Sequence, residues 1–484
     1  MRKAIMKILL ISPLLTPLRK PGVYNIGLGH IASILIENGH QVELLDIEGY
    51  RYKRNKVLNI IRKTECDIIG IGTIITGYSY LKWLTKEIKK IKPNTPIILG
   101  NSIGSTIPEI VLNDLAIDFV VIGEGEITIT ELVDTLEKNE DLTKINGICF
   151  KKNGQIIHTP ERELVKDIDS LPMPAWDLFP QEIYMSPIKH GNLKKLMPPP
   201  TASLNTTRGC PYRCTYCYHP FKDKKIRGHS AERVVEEIKI LKQKYNINSF
   251  LLADDISILN KKRMYKICEL LEKEKLNLKW QATARVDLID LDLLVKMKSA
   301  GCRVLGIGIE SASQKILDNI KKGVTVDKAK KALLLCKKVG IYAGCSFMIG
   351  NLGENRETIF KTVSFIKKYI NEPISFFITT PYPDTELFQY AEDRGLIKNK
   401  IKMFESYGEQ GSQILVNFTE MSNEELWALK LEAEKIILNH YFKCFPLKRI
   451  SHLINAFKGL IKGSIIEFRK HGLRELFKRI KERL

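Results

Sequence analysis

The stretch Thr201-Ala-Ser-Leu-Asn-Thr-Thr-Arg-Gly-Cys210-Pro-Tyr-Arg-Cys214-Thr-Tyr-Cys217 organises everything around it. Ala202–Thr206 reads as a short buried strand, and the loop leaving it packs three thiols, Cys210, Cys214 and Cys217, into eight residues. The other seven cysteines are scattered, and ten in 484 residues are too sparse for a disulfide scaffold. The reducing cytosol is therefore the expected home, and the triplet is where metal chemistry is expected. Three thiolates this close share a metal, yet structural zinc is normally closed by four ligands. His219 would complete a small zinc knuckle. A 4Fe–4S cube on three cysteines instead keeps one iron open for a substrate or cofactor.

Outward toward the C-terminus, five more apolar runs alternate with helical patterns. Strands are expected at Ser249–Ala253, Lys279–Thr283, Val304–Ile309, Tyr342–Ile349 and Ser375–Thr379. Helices are expected at Ala231–Tyr245, Lys262–Glu272, Asp290–Lys298, Val326–Val339 and Glu357–Tyr369. Six βα units over residues 201–395 fit a partial parallel barrel, whose chemistry belongs at the carboxyl ends of the strands. Those ends carry Asp254-Asp255, Arg285, Gly306-Ile-Gly308-Ile-Glu310-Ser311 and Phe347-Met-Ile-Gly350.

Outward toward the N-terminus, residues 1–150 alternate apolar runs at Lys7–Ile11, Val42–Asp46, Ile68–Thr73, Ile97–Leu99 and Phe119–Ile122 with amphipathic helical stretches. Continuous Ile/Val/Leu runs indicate strands covered on both faces, as in a doubly wound, Rossmann-like α/β sheet. Met1–Leu15 imitates a signal peptide, but Pro13 interrupts it and no small-residue cleavage site follows, so a first buried strand is the better reading. Glycine-rich loops follow the strands at Gly70 and Gly72, Gly100–Gly104 and Gly123-Glu124-Gly125-Glu126, and they suit close approach of backbone to a large ligand. Residues 151–200, stiffened by Leu171-Pro-Met-Pro174 and Pro198-Pro-Pro200, read as a connector.

The C-x3-C-x2-C spacing with Tyr216 before the last cysteine resembles the radical S-adenosylmethionine (SAM) superfamily. That resemblance implies that Cys210, Cys214 and Cys217 ligate a 4Fe–4S cluster whose open iron binds SAM. It assigns cofactor contacts to Tyr216, Asp254 and Asp255 (amino end), Arg285 (carboxylate), Gly306, Glu310 and Ser311 (ribose and aminoacyl parts) and Gly350 (adenine). A common form of that last motif has Leu-Pro where this chain has Asn351-Leu352. Residues 5–395 together are similar to the cobalamin-dependent subclass, through Gly27-Leu-Gly29, the Gly100 loop, Val121-Ile-Gly123-Glu-Gly125-Glu126 and the Leu171–Pro180 connector. Gly100, Gly123 and Glu124 are the cobalamin contacts this implies. The Asp-x-His-x-x-Gly loop of cobalamin-dependent mutases is missing after the first strand, and His30 and His40 read as surface or packing residues.

The subclass implies methylation of an unactivated carbon or a phosphinate, through a 5′-deoxyadenosyl radical, methylcobalamin and a second SAM. Cyclisation or carbon-skeleton rearrangement, in lipid or tetrapyrrole metabolism, is the alternative, and a non-catalytic cobalamin sensor is a third. A methylthiotransferase would need three cysteines in the first domain, which holds only Cys66 and Cys149. The implied partners are a small-molecule or lipid substrate and a low-potential electron donor such as flavodoxin or ferredoxin, with no nucleic acid. The net charge of +21 favours anionic neighbours without choosing among them. Residues 396–446 form a C-terminal subdomain without a decisive motif. In 447–484, eleven Lys/Arg stand against three Glu with apolar residues at helical spacing, which suits a basic amphipathic helix on the inner membrane face or a helix packed on the barrel.

Overall fold

The computed structural model describes residues 5–15, 22–186, 193–218, 226–370, 372–408 and 413–448. The first sheet contains β1 (Lys7–Ser12), β2 (Gln41–Asp46), β3 (Ile68–Gly72), β4 (Ile97–Gly100) and β5 (Phe119–Val121), in the order β2-β1-β3-β4-β5 and all parallel. The run expected at Lys7–Ile11 is a buried strand, Lys7–Ser12. The strand order reverses between β1 and β3, which opens a crevice above their carboxyl ends. Asn25 closes that crevice: its side chain caps helix Ile26–Glu37 by accepting from Leu28 N and donates to Gly72 O at 2.9 Å.

The sheet does not end at residue 150. Strands β6 (Ile148–Lys152) and β7 (Gln155–His158) add an antiparallel hairpin to β5, turned by Asn153-Gly154 with both φ angles positive. An Asn-Gly pair between paired strands is what a two-residue turn requires, so the segment read as connector begins inside the sheet. The remaining connector is laid against the first domain: Ala175 N donates to Gly29 O at 3.1 Å, and Trp176, Phe179 and Tyr184 are buried.

The second sheet is β8 (Thr201–Leu204), a small ribbon of β9 (Thr207–Arg208) and β10 (Arg227–Gly228) beside it, then β11 (Ser249–Leu252), β12 (Lys279–Ala284), β13 (Cys302–Glu310), β14 (Tyr342–Ile349) and β15 (Phe377–Ile378). Its order β8-β11-β12-β13-β14-β15 follows the chain, every pair is parallel, and β8 and β15 are its two edges. This is a curled, partial six-unit barrel.

Two apolar cores result. One joins the inner face of the first sheet, through Tyr24, Trp176 and Phe179, to the barrel and to the long helix Asn423–Cys444. The other lies on the opposite face of the first sheet and includes Leu387, Phe388, Ala391, Met403 and Phe404. The chain after the barrel therefore returns to cover the first domain, where the Tyr78 and Phe404 rings meet at a tilt of 56° with centroids 5.6 Å apart. No helix of the described residues is long and apolar enough to cross a membrane. The tail from residue 449 onward, including nearly all of the basic amphipathic stretch, lies outside the described residues.

Candidate active site between two sheets

Two cavities meet where the sheets face each other. The first, about 540 Å³, opens above β1, β3, β4 and β5 and is walled by Leu10, Ile71, Ile98, Val121 and Ile129. The second, about 390 Å³, lies in the mouth of the barrel. Gly209, Tyr218 and Asp255 line both.

The barrel cavity gathers Cys210, Cys214 and Cys217 with Tyr216, Asp255, Arg285, Gly306 and Glu310. Cys217 is exposed at the cavity mouth, and desolvation among its neighbours, reinforced by Cys214 and Asp255, pushes its thiol up. A metal binding these sulfurs as thiolates must therefore displace protons. Among the described residues no three His, Cys, Asp or Glu side chains form a preassembled ion cage, and no histidine lines this cavity. His219 lies outside the described residues. A donor set of three thiols beside an open cavity fits a cluster with one exchangeable corner.

The cavity floor is open because small residues face each other across β13 and β14: Gly306 pairs with Gly344, and Gly308 with Ser346. The register then slips between Gly308 and Glu310, and Glu310 takes a left-handed φ of 67°. Its carboxylate meets Lys322 Nζ at 2.9 Å, and the same ammonium donates to Tyr216 Oη at 3.1 Å. Arg285 stacks its guanidinium 3.4 Å from the Tyr212 ring centroid and donates to Lys322 O at 2.8 Å and Asp287 Oδ1 at 3.1 Å. Two cations and two carboxylates thus surround one space, which is the complement of an amino-acid zwitterion.

Three sequence-based assignments fall outside this cavity. Asp254 is buried and accepts from Thr206 N at 2.5 Å, Thr206 Oγ1 at 2.7 Å and Thr207 N at 2.9 Å, so it braces the strand leading to the cysteines. Ser311 is buried behind the sheet, its hydroxyl 3.3 Å from Thr362 Oγ1. Gly350 forms the turn after β14 and donates to Glu354 Oε2 at 2.6 Å. Asp255 and Glu310 line the cavity, while their sequence neighbours Asp254 and Ser311 make their hydrogen bonds away from it. Lys322 and Tyr212 escape sequence reading. A lysine in a Lys-Lys-Gly loop looks like any solvated lysine of this basic chain.

Gly100, Gly123 and Glu124 all line the first cavity, as does His30. A Cβ added at Gly100 or Gly123 would meet nothing within 4 Å, so backbone itself borders the space. Gly123 also needs its left-handed φ of 75°. Apolar walls with glycine rims fit a broad ligand such as a corrinoid. His30 is a buried residue, its Nδ1 3.3 Å from Pro172 O; burial, then Arg208, lowers it to about 4 and keeps it neutral. His40 is buried beneath β1, 3.7 Å from Asp134.

Residues 204–366 match the radical SAM superfamily and residues 19–133 the B12 binding domain. An uncharacterized methyltransferase of Pyrococcus horikoshii is 36% identical over 399 residues, 81% of this chain and 84% of that protein. An anaerobic magnesium-protoporphyrin IX monomethyl ester cyclase of Rubrivivax gelatinosus is 28% identical over 75% of this chain and 66% of its own length. Among solved structures, the radical SAM methyltransferase of Kitasatospora setae with cobalamin and a [4Fe–4S] cluster bound aligns with a TM-score of 0.70 and 17% identity, covering 90% of this chain and 89% of that one. At that identity the likeness is one of fold.

Proposed function

This chain belongs to the radical SAM superfamily and carries an N-terminal B12-binding domain, and from that premise we propose that it is a cobalamin-dependent methyltransferase acting on an unactivated carbon or a phosphinate of a small molecule. The observation that carries the reading is the shared wall of the two cavities at Gly209, Tyr218 and Asp255. A substrate there would touch both cofactor spaces at once.

When bound, the 4Fe–4S cluster with SAM supplies the radical that removes a hydrogen, and cobalamin supplies the methyl group. The residues do the positioning. Cys210, Cys214 and Cys217 would hold the cluster. Arg285 and Lys322 would receive the SAM carboxylate, Asp255 its ammonium and Glu310 its ribose, while Gly306, Gly308 and Gly344 would leave room for the adenosyl group against backbone. The apolar walls of the first cavity keep water from the transferring methyl group. The described protein is expected in the cytoplasm, with a flavodoxin or ferredoxin as electron donor. Residues 447–484 would add peripheral contact with anionic lipid, each Lys or Arg contributing about 1 kcal/mol near the surface.

The test uses protein reconstituted anaerobically with iron, sulfide and hydroxocobalamin. Reduction with SAM should release 5′-deoxyadenosine, and Cys210→Ala, Cys214→Ala or Cys217→Ala should abolish both cluster absorption and that product. Label from methyl-labelled SAM should reach the bound corrinoid. Deoxyadenosine without such labelling would favour the cyclase reading, which the Rubrivivax relative supports. Neither signal would leave a sensor. Flotation with anionic liposomes, comparing the full chain with one ending at Pro446, tests the membrane contact: equal flotation removes it.

A further inference from the structure

We propose that Glu124 is a positioning residue that couples the first cavity to the cysteine loop, so that a corrinoid filling that cavity orders the segment carrying the cluster ligands. The inference rests on the reading that the first cavity takes cobalamin.

The segment Gly123–Glu126 faces two ways. Its backbone at Gly123 borders the open cavity. Its carboxylates meet the β9–β10 ribbon and the connector, where Glu124 accepts from Arg208 Nη1 at 2.7 Å, Arg227 Nη1 at 2.8 Å and Val165 N at 2.8 Å. Glu126 accepts from Arg208 Nη2 at 2.6 Å. Although burial opposes ionisation of Glu124, Arg227 and Arg208 hold its carboxyl below the ordinary range.

Arg208 and Arg227 are direct cross-strand partners in the β9–β10 ribbon. Like charges placed opposite one another disfavour pairing, and each strand of this ribbon is only two residues long. Glu124 bridges the two guanidiniums and makes their juxtaposition favourable. Every cluster cysteine lies in the chain between them, residues 209–226. One carboxylate from the first domain therefore holds both roots of that loop, while the glycine beside it borders the other cavity. Thr207, Arg208 and Gly209 also line the first cavity, so a ligand there would touch the same strand that Glu124 holds.

The alternative role for Glu124, a direct contact to cobalamin, leaves the facing arginines unexplained. Coupling between two sites typically changes equilibria by roughly 5–150-fold, which sets the size of the expected effect.

Hydrogen exchange on the full-length, cluster-free chain tests this, with hydroxocobalamin as the probe. In the wild type, hydroxocobalamin should slow exchange across residues 207–218 by about tenfold. Glu124→Gln should lose that slowing; a Glu124→Gln protein that no longer binds hydroxocobalamin would make Glu124 a direct contact and overturn the proposal. Because lone Glu124→Gln leaves two arginines face to face, Glu124→Gln/Arg227→Gln serves as the second variant: it should restore the basal protection of the ribbon without restoring the response to hydroxocobalamin. Glu124→Asp, which keeps the charge, should recover part of the response. The coupling is overturned if either Gln variant responds like the wild type, or if the wild type binds hydroxocobalamin without any change in 207–218. A wild type that binds none overturns instead the cobalamin reading on which the proposal stands.

Discussion

Replacing Lys322 by methionine isolates the electrostatics of the barrel cavity. Its ammonium lies 2.9 Å from Glu310 and 3.1 Å from Tyr216 Oη, and both charged side chains are only 9% exposed. Removing the cation leaves a carboxylate buried without its partner, at a residue already in the left-handed region. Breaking a buried pair from one side costs about 3–5 kcal/mol, whereas neutralising both members often costs little. Lys322→Met should therefore lower the stability of the cluster-free protein by about 3–5 kcal/mol, roughly a factor of 150–5,000 in the folded ratio. Glu310→Gln/Lys322→Met should recover most of that loss, with a coupling of about 2 kcal/mol or more. Urea unfolding followed by tryptophan fluorescence is suited to this, since Trp280 is fully buried in the barrel. SAM binding by equilibrium dialysis separates the roles: the double variant should fold and yet bind SAM poorly. A Lys322→Met protein within about 1 kcal/mol of the wild type, or a double variant no better than the single, would refute the argument.

The two adjacent aspartates should behave as opposites. Asp254→Asn should destabilise the protein by about 2–3 kcal/mol through lost hydrogen bonds to the ion, while Asp255→Asn should cost less stability and weaken SAM binding; equal melting of the two would contradict the assignment. Glu237, buried on helix Ala231–Tyr245, has its carboxyl pushed up to about 8 by desolvation, with Arg233 opposing. Between pH 4.5 and 8 the native state keeps a proton that the unfolded chain has released, so stability falls as pH rises, at up to about 1.4 kcal/mol per unit. Glu237→Gln should flatten that fall, seen as a melting-temperature difference from wild type that grows more favourable between pH 5 and 8. A difference constant with pH would reject it.

The first sheet is legible because strands such as β1 and β3 are buried on two faces and read as unbroken apolar runs; in the barrel the expected bounds Tyr342–Ile349 agree with β14 at both ends. The Asn153-Gly154 hairpin was missed because proline-rich sequence beyond it suggested a connector from residue 151. Motif resemblance marks strand ends but not the direction of each side chain, so it cannot separate Asp255 and Glu310, which line the barrel cavity, from Asp254 and Ser311, which do not. The packing of Leu387, Phe388 and Phe404 on the first sheet was beyond reach for a different reason. Periodicity reports that a helix has a buried face, not which distant surface covers it.

That return of the chain bears on how the protein is made. The first domain is synthesised first, yet part of its outer core is supplied by residues as late as Phe418. Some 260 residues separate the end of its last strand at His158 from that point. At roughly 5–20 residues per second, translation leaves the domain incomplete for about 13–50 s. During that interval the apolar face of helix Tyr78–Ile91 awaits Phe404. The nascent chain thus presents an apolar surface until the residues that follow the barrel, through Phe418, have emerged to cover it.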